Sequence, residues 1–350
     1  MKIINLLLSN KNGGVEQSFV TYCLILKSLN HEVLAIVRKG APYKNNIEEL
    51  GIKVIEIENK FGYWDFFAIK NLRKIIKDFE ANLIFAHAGK AISLSKKTLK
   101  KFQRIPLIAI NHSNNVKRSI EANIILSVNK EIFYKTIDYG QAEDRSFVMS
   151  NFIEYDQELQ KKFNSNDFYF NSKIRIGTMG RLAKEKGLEY LIKSIKILKD
   201  QNHSVELIIA GDGELKQELE NLTKSLNLDE EVKFLGWTNN KEKFFSSIDI
   251  FCLSSLEETF GIVLLEAMKY GKPIISSNCD GPKTIIKNKV NGILVDKKSP
   301  EQIAEAILKL KNNPELVFDL VTNAKENLLK NYSLKIAQEK FASVIRIAFS

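Results

Sequence analysis

Two glutamates in the second half of the chain combine residue type and spacing in a way that suits ligand binding. In the segment 254–277, SSLEETFGIVLLEAMKYGKPIISS, Glu258 follows an apolar run, and seven residues separate it from Glu266. Glu266 falls on a predicted helix that is otherwise apolar, so its carboxylate must find hydrogen-bond donors. Ribose hydroxyls are one solution, and a structural salt bridge is the other. Phe260 and Gly261 open this predicted helix, where free backbone N–H groups favour a phosphate.

Two basic residues lie in a loop that follows another apolar run. The segment 177–187 has the sequence GTMGRLAKEKG, which places Arg181 and Lys186 between a predicted strand and a predicted helix. In parallel α/β sheets, ligands bind at the carboxyl ends of the strands. Two cations at that edge are placed to neutralise a diphosphate. The alternative is a pair of solvated loop charges.

Glycine-rich turns follow two further apolar runs. The segment 9–18, SNKNGGVEQS, places Gly13 and Gly14 where a helix begins, so a ligand can approach the backbone and an anion can meet free N–H groups. A plain tight turn is the alternative. The segment AGDGE places Gly211 after a strand, but Lys216 occupies the third position of a dinucleotide fingerprint. We interpret this second segment as a turn into the next helix.

The histidines and cysteines show no metal-ligand spacing. His112 and His87 each end a predicted strand, and both are candidates for a functional histidine or for a structural one. The three cysteines are few, odd in number and far apart, which fits a reducing cytoplasm. No Asp-x-Asp pair occurs in the chain. We therefore expect no metal cofactor and a cytoplasmic location.

Short apolar runs alternate with amphipathic helical patterns along the whole chain, which predicts two doubly wound parallel sheets. We expect residues 1–165 to form an N-terminal Rossmann-like domain, 166–332 a second one, and 333–350 a helix packing back toward the first. In the helical segment 64–79, the pattern predicts that Phe67 faces inward. Predicted strands are 3–8, 32–37, 52–57, 82–86, 107–110, 123–128, 146–149, 173–178, 205–210, 232–235, 249–253, 273–276 and 292–295.

The net charge of +10 is concentrated in the first half of the 350-residue chain. Residues 1–166 carry 25 Lys and Arg against 17 Asp and Glu, a net +8. This favours an anionic partner, and a lysine-rich solvated surface is the alternative. No stretch approaches the roughly 18 apolar residues that span a membrane. The segment 90–104 interleaves six basic residues with Ile92, Leu94, Leu99 and Phe102, so it is either a peripheral membrane anchor or an ordinary helix packing inward.

Taken together, these motifs resemble the glycosyltransferase group 1 family (family 4), retaining enzymes of the GT-B fold, in which two Rossmann-like domains face a cleft. The resemblance rests on motifs that span the second domain in the family's order, with a looser match in the first domain. The segments are GRLAKEKG, LIIAGDGE, VKFLGW, SSLEETFGIVLLEAM, GKPII and NGILV, with Gly13-Gly14 followed by Glu16.

The resemblance implies a role for each matching residue. Arg181 and Lys186 would bind the donor diphosphate, Glu266 the ribose hydroxyls, and Glu258 the donor sugar. His112 would lie near the reacting sugar, although the family commonly has Asp or Gly where Ser113 follows it here. The catalytic residues expected are His112, Arg181, Lys186 and Glu258; the donor-binding residues expected are Gly13, Gly14, Glu16, Arg181, Lys186, Gly211, Glu258, Thr259, Phe260, Gly261, Ile262 and Glu266.

The expected activity is therefore transfer of a sugar, with retention, from a nucleoside-diphosphate sugar to a glycan or lipid-linked acceptor of a bacterial surface polysaccharide or lipopolysaccharide. A lipid-linked acceptor would place the protein at the inner face of the membrane. The alternative is a basic Rossmann-type nucleotide- or nucleic-acid-binding protein without glycosyl transfer. No helix-turn-helix, zinc or base-stacking motif supports nucleic-acid binding, so no nucleic-acid partner is expected. No complete G-x-G-x-x-G follows a predicted strand, which argues against a dinucleotide-dependent oxidoreductase.

Overall fold

The computed structural model describes residues 1–102, 104–155, 168–238 and 240–350, without the side chain of Trp64. The chain divides into two compact units. Unit 1 comprises Met1–Glu154 with Ser333–Ser350, and unit 2 comprises Tyr155–Tyr332. The predicted domain boundary between residues 165 and 166 falls within 156–167, outside the described residues, so it stays a prediction.

Unit 1 is built on a parallel sheet of seven strands, in the order β3-β2-β1-β4-β5-β6-β7. The order reverses direction between β1 and β4, which are neighbours at the centre. Its strands are β1 Lys2–Leu7, β2 Glu32–Arg38, β3 Lys53–Ile57, β4 Leu83–His87, β5 Leu107–Asn111, β6 Ile124–Ser127 and β7 Ser146–Val148. Its helices are α1 Gly14–Ser28, α2 Lys44–Glu49, α3 Phe66–Phe79, α4 Ala88–Leu99, α5 Lys130–Asp138 and α13 Leu334–Ala348.

Continuous apolar strands suit this sheet because helices cover both of its faces. On β1, Ile3 and Leu7 belong to one buried cluster, together with residues of α1 and α13. Ile4 and Leu6 belong to a second cluster on the opposite face, with residues of α3 and α4. The alternation of successive side chains across a strand divides the run in this way.

The inward orientation predicted for Phe67 is wrong. The Asp65 side chain caps α3 by accepting a hydrogen bond from the Ala68 N–H at 2.9 Å, and the buried face is centred on Leu72. Five residues of an α-helix turn through about 140° relative to the starting direction, so Phe67 points away from that face. Its side chain is 78% exposed.

The segment 90–104 supports an inward-packing helix rather than an apolar anchor. Ile92 and Leu94 are buried in α4, and Leu99 and Phe102 pack against the same core cluster. The apolar side chains that the anchor alternative would place in the membrane therefore pack in the protein interior.

Helix α13 packs within unit 1, although unit 2 precedes it in the chain. Phe341 stacks on Phe85 of β4 with ring centroids 5.9 Å apart, and it makes an edge-to-face contact with Tyr22 of α1, with centroids 4.6 Å apart. Ser333 forms a parallel bridge with Ile153, so the chain leaves unit 1 and returns to it at adjacent points.

Unit 2 is built on a parallel sheet of six strands, in the order β10-β9-β8-β11-β12-β13. The reversal of order falls between β8 and β11. Its strands are β8 Ile174–Met179, β9 Val205–Ala210, β10 Val232–Gly236, β11 Ile250–Leu253, β12 Ile274–Ser277 and β13 Ile293–Val295. Its helices are α6 Leu188–Asp200, α7 Lys216–Ser225, α8 Lys241–Ser246, α9 Ile262–Lys269, α10 Asp280–Ile285, α11 Pro300–Lys311 and α12 Pro314–Tyr332. The prediction of two doubly wound parallel sheets is confirmed.

Among the described residues, none of the helices combines the length and the apolar character that crossing a membrane requires.

Candidate functional site

The loop that follows β8 carries the two predicted cations, and backbone contacts fix its path. The Gly180 N–H donates to the Ala210 carbonyl and the Leu182 N–H donates to the Asp212 carbonyl, both at 2.9 Å. A Cβ at Gly211 would lie 1.8 Å from the Gly180 carbonyl oxygen. Gly211 is therefore required for close approach between two loops at the carboxyl edge of the sheet.

This loop is joined to the loop that follows the neighbouring strand β11. The Glu185 carbonyl accepts hydrogen bonds from the N–H groups of Leu256 and Glu257, at 2.8 and 3.2 Å. The Ser254 hydroxyl donates to the Lys186 carbonyl at 3.0 Å. The two loops that meet at the reversal of strand order thus form one hydrogen-bonded structure, in the place where open α/β sheets bind ligands.

The predicted cations are both paired with carboxylates. Lys186 forms an ion pair with Glu258 at 2.5 Å, and both side chains are about four-fifths buried. Arg181 pairs with Glu185 one turn along the same loop, and about half of its side chain is exposed. The structure thus brings two of the predicted catalytic residues, Lys186 and Glu258, into direct contact.

Helix α9 begins two residues later than the sequence pattern predicts, at Ile262, with Gly261 as its N-cap in a left-handed conformation. Phe260 is buried against the edge of the Tyr332 ring, with centroids 6.0 Å apart. The Gly281 N–H donates to the Glu258 carbonyl at 2.9 Å. These contacts hold the turn Glu258–Gly261, which includes Thr259, directly before the first turn of α9.

Glu266 is buried on α9 and pairs with Lys241, the first residue of α8. The structure therefore supplies a charged donor for this carboxylate, as the salt-bridge interpretation requires. No sequence motif indicates Lys241, because it precedes Glu266 by 25 positions and only the packing of unit 2 brings the two together.

In unit 1, the predicted glycine turn lies at the carboxyl end of β1. Gly13 caps α1, and both Gly13 and Gly14 are exposed. Glu16 is buried and folds back on this turn, where it accepts hydrogen bonds from the Gly13 N–H at 3.0 Å and from the Ser9 hydroxyl at 2.5 Å. The described contacts of Glu16 therefore shape the turn that presents the two glycines.

The two candidate histidines contact each other at the carboxyl ends of β4 and β5. His87 Nδ1 and His112 Nε2 are 3.0 Å apart, and His87 Nε2 lies 3.0 Å from the Asn5 side-chain oxygen. The Asn5 amide nitrogen faces the Phe19 carbonyl, which only accepts hydrogen bonds, so the orientation of the Asn5 amide is chemically determined. The two candidate histidines are therefore not alternatives but parts of one buried hydrogen-bond network.

The donor and acceptor roles in this network determine which ring nitrogen of each neutral histidine carries the proton. The Asn5 oxygen accepts, so His87 Nε2 donates; neutral His87 then accepts at Nδ1, and His112 donates from Nε2. Burial lowers the pKa of His112 to about 4. Burial, together with His112 beside it, holds the pKa of His87 well below its usual range. His112 is therefore neutral near pH 7, with an unprotonated Nδ1.

Nothing in the described part of the chain groups three or more His, Cys, Asp or Glu side chains as a metal site requires. The three cysteines are free and buried.

Each unit is thus a Rossmann-like α/β fold whose glycine turns, paired charges or histidines lie at the carboxyl edge of its sheet. This arrangement defines the class of α/β proteins built from two Rossmann-like units.

Comparison with known proteins gives the family. A sequence profile described as Glycosyltransferase Family 4 matches residues 12–156, and one described as Glycosyl transferases group 1 matches residues 160–327. The chain therefore belongs to the glycosyltransferase group 1 family and is a glycosyltransferase of the GT-B fold.

Several relatives illustrate this membership. An uncharacterised glycosyltransferase of Methanocaldococcus jannaschii is 38% identical over 249 residues, which span 68% of this chain and 63% of that protein. The lipopolysaccharide core biosynthesis glycosyltransferase LpsD of Rhizobium meliloti is 25% identical over 94% of both chains. The crystal structure of Anabaena HepE in complex with UDP-glucose has the same fold, with a TM-score of 0.85 and 22% identity over 99% of both chains.

Proposed function

We propose that this protein transfers a sugar from a nucleoside-diphosphate sugar to a glycan or lipid-linked acceptor, with retention of anomeric configuration and without a metal ion. The observation that carries the proposal is the joined pair of loops in unit 2, where Lys186, Glu258 and the first turn of α9 meet at the reversal of strand order. Such a position combines a cation with free backbone N–H groups, which together favour a diphosphate.

In this proposal, Lys186 and Arg181 stabilise the negative charge that develops on the departing nucleoside diphosphate. The ion pair with Glu258 holds the Lys186 ammonium in place before the donor binds. When the diphosphate takes Lys186 as its partner, the Glu258 carboxylate becomes available to sugar hydroxyls. Preorganised cations of this kind lower a barrier because they need little rearrangement as charge develops.

The nucleoside is assigned to the region of Glu266, whose buried carboxylate would accept hydrogen bonds from the ribose hydroxyls. The turn Glu258–Gly261 and Ile262 would contact the donor sugar and phosphate through the backbone. Gly211 would act by allowing the loop of Arg181 to approach β9. Retention would follow if the acceptor hydroxyl attacks from the side of the leaving group, with its proton passing to the departing phosphate oxygen.

In unit 1, we assign the reacting sugar to His112, with Gly13 and Gly14 supplying backbone N–H groups and Glu16 holding their turn. A neutral His112 with an unprotonated Nδ1 can accept a hydrogen bond from a sugar hydroxyl. It would act by orientation, because a pKa of about 4 makes it a poor base near pH 7.

The relatives guide the choice of substrates. HepE of Anabaena was crystallised with UDP-glucose, so UDP-sugars are the first donors to test. LpsD and LpsE of Rhizobium meliloti are described as lipopolysaccharide core glycosyltransferases, which favours a surface-glycan acceptor at the cytoplasmic face of the membrane.

The deciding experiment is donor cleavage with a panel of UDP-, GDP- and ADP-sugars. We expect slow release of the nucleoside diphosphate from one of them, without NAD or nucleic acid and unchanged by EDTA. A large loss of rate with EDTA would contradict the metal-free mechanism. Cleavage of no sugar nucleotide, combined with retention of the chain on DNA or RNA, would favour a nucleic-acid-binding protein instead.

Replacing Arg181 and Lys186 together with Ala should lower turnover at saturating donor more than it changes acceptor KM. The reason is that their charge matters most as the leaving group develops its own. Lys184→Ala, in the same loop, is the matched control. If turnover in the folded double variant equals that of the control, the two cations are surface charges and the assignment fails.

A further inference from the structure

Helix α3 of unit 1 presents an unusual outer surface. Phe66 and Phe67 in its first turn are 75% and 78% exposed, the highest values for large apolar side chains among the described residues. Phe61, in the loop that leads to the helix, is 65% exposed. Such exposure is unfavourable in free energy when the protein is in solution, because each ring leaves a large apolar area in contact with water.

Three lysines share this surface. Lys70, Lys74 and Lys77 are exposed on α3, and a turn of 100° per residue places all three between the directions of Phe66 and Phe67. The opposite face of the helix is buried in the core through Ala68, Ile69, Leu72, Ile75 and Ile76. The outer surface therefore combines protruding aromatic rings at one end with a row of positive charge along its length.

The aromatic end is held in one arrangement by Asp65. Its buried carboxylate accepts hydrogen bonds from the Ala68 N–H at 2.9 Å and from the Phe61 N–H at 3.1 Å. Although burial opposes ionisation, these bonds and others from the N–H groups of Lys60 and Phe67 hold the pKa of Asp65 below its usual range. The rings are thus presented by an anchored loop and the first turn of a helix.

The position of this surface relates it to the candidate site in unit 1. The loop that carries Phe61 follows β3, so it lies at the carboxyl edge of the same sheet as the Gly13 turn and His112. The Arg118 guanidinium lies over the ring of Tyr63, two residues further along the chain than Phe61, with its carbon 3.7 Å from the ring centroid. The exposed rings therefore border the edge at which unit 1 would meet its substrate.

We propose that the outer surface of α3, formed by Phe61, Phe66, Phe67, Lys70, Lys74 and Lys77, docks on an anionic lipid surface. The rings enter the interface between headgroups and acyl chains while the lysines contact phosphate groups. This inference rests on the proposed function only in that a lipid-linked acceptor would bring unit 1 to such a surface.

The positive charge of this surface favours an anionic lipid membrane over a second copy of this chain as the binding partner. Two copies meeting through this surface would bring lysines of the same sign together, whereas an anionic membrane complements them. The lysines of α4 do not offer the same combination, because Ile92 and Leu94 are buried and Lys97 reaches inward to the Tyr63 carbonyl. The docking surface therefore differs from the one that the sequence pattern of 90–104 suggests.

The test is co-sedimentation of the full chain with vesicles of phosphatidylcholine alone or with one third phosphatidylglycerol, at low and high salt. We expect binding to the anionic vesicles only, weakened by salt. The double variant Phe66→Ser/Phe67→Ser should bind at least tenfold more weakly at either salt concentration. The triple variant Lys70→Gln/Lys74→Gln/Lys77→Gln should lose the preference for anionic lipid.

The matched control is Lys100→Gln/Lys101→Gln, which removes exposed charge from the end of α4. It should bind within about twofold of the unchanged protein. Equal loss in this control, or full binding by the phenylalanine variant, would overturn the assignment of the surface. Self-association that disappears in the phenylalanine variant, without vesicle binding, would identify a second copy as the occupant and overturn it too.

Donor cleavage in solution separates this inference from the proposed function. The phenylalanine variant lies outside the donor loops of unit 2, so its rate of sugar-nucleotide cleavage without vesicles should equal that of the unchanged protein. Vesicle binding with no cleavage of any donor would leave the lipid surface standing and refute the enzymatic proposal. Donor cleavage without vesicle binding would support the enzymatic proposal and refute the lipid-docking surface.

Discussion

At the scale of single residues, Glu266 illustrates how a carboxylate is kept in a protein interior. Its carboxylate is buried among the apolar residues of α9, and Lys241 supplies the donor that offsets the cost of burial. Lys241 itself is about one third exposed, so the pair lies at the border between the interior and solvent. In the proposed function, a ribose would meet a Glu266 carboxylate that this ion pair has already oriented.

Glu266→Ala should weaken donor binding by roughly tenfold to a hundredfold, because hydrogen bonds to a charged group contribute about 1.5–3 kcal/mol. Calorimetric titration with the nucleoside diphosphate measures this change. Lys241→Met is the companion variant, and it should lower the free energy of unfolding by about 1–3 kcal/mol because it removes a charged hydrogen-bond donor from a buried carboxylate. Unchanged nucleotide affinity in a folded Glu266→Ala variant would refute the ribose role.

The histidine network leads to a pH dependence of stability. In the unfolded chain His87 and His112 have pKa values near 6.5, whereas in the folded protein burial lowers the pKa of His112 to about 4 and holds the pKa of His87 well below its usual range. The unfolded state thus binds more protons in this window. The free energy of unfolding should therefore fall as the pH is lowered from about 6.5 to 4, by up to about 1.4 kcal/mol per pH unit for each histidine.

Chemical denaturation at pH 7 and pH 5 measures this loss. Carboxylates also contribute to it, so the informative quantity is the difference between the unchanged protein and the variant His87→Gln, which should lose less stability on acidification. His203→Gln, in a loop of unit 2, is the control and should behave as the unchanged protein. Equal losses in all three proteins would contradict the neutral network.

At the scale of elements, the loops of unit 2 depend on glycine where two backbones approach. Gly211→Ala would place a methyl group 1.8 Å from the Gly180 carbonyl oxygen, so the loop carrying Arg181 must move. We expect lower stability and donor affinity reduced by about tenfold or more. Gly236→Ala is the control, since Gly236 also has a positive φ but its added methyl would meet nothing within 4 Å.

Thermal unfolding and nucleotide titration of both variants distinguish loop displacement from the cost of a positive φ, which they share. Substitution by alanine at a positive φ costs of order 1 kcal/mol by itself. If the two variants lose the same stability and the same affinity, the close approach of the two loops is not the reason that position 211 requires glycine.

The sequence predicted the elements that follow from local pattern. Runs such as Ile3–Leu7, apolar at nearly every position, predict strands buried on both faces, and the loops after them predict the edge where ligands bind. Contacts between segments that are distant in the chain could not be predicted from the sequence. Asn5 interrupts an apolar strand without indicating that it orients His87, and Lys241 gives no sign of its pairing with Glu266. Phe67 was misassigned because an apolar residue beside a helical stripe was counted as part of it.

At the scale of the whole molecule, unit 1 is completed by a helix from beyond unit 2. Phe341 of α13 is buried against Phe85 and Tyr22, and Tyr22 in turn packs on the His87 ring at 4.7 Å. Phe341→Ala should lower the free energy of unfolding of unit 1 by about 3–5 kcal/mol.

Hydrogen exchange resolves this effect by segment. We expect faster exchange in β1, β4 and α1 of the Phe341→Ala variant, with little change in β8 to β13. The exposed neighbour Glu339→Ala should exchange as the unchanged protein does. Equal acceleration in the strands of unit 2 would show that α13 supports the whole chain rather than unit 1 alone.

The order of these segments also matters during synthesis. The ribosome makes the strands of unit 1 first, yet α13 emerges only after Tyr332, so the nascent sheet waits for all of unit 2. At 5–20 residues per second this delay is on the order of 10–40 s. Throughout it, Tyr22, Phe85 and Phe152 lack their contacts with Phe341 of α13, and α1 covers this face of the sheet without that helix. The net charge of +8 on residues 1–166 then opposes association of neighbouring nascent chains. The lysines would thus favour solubility before the protein is folded.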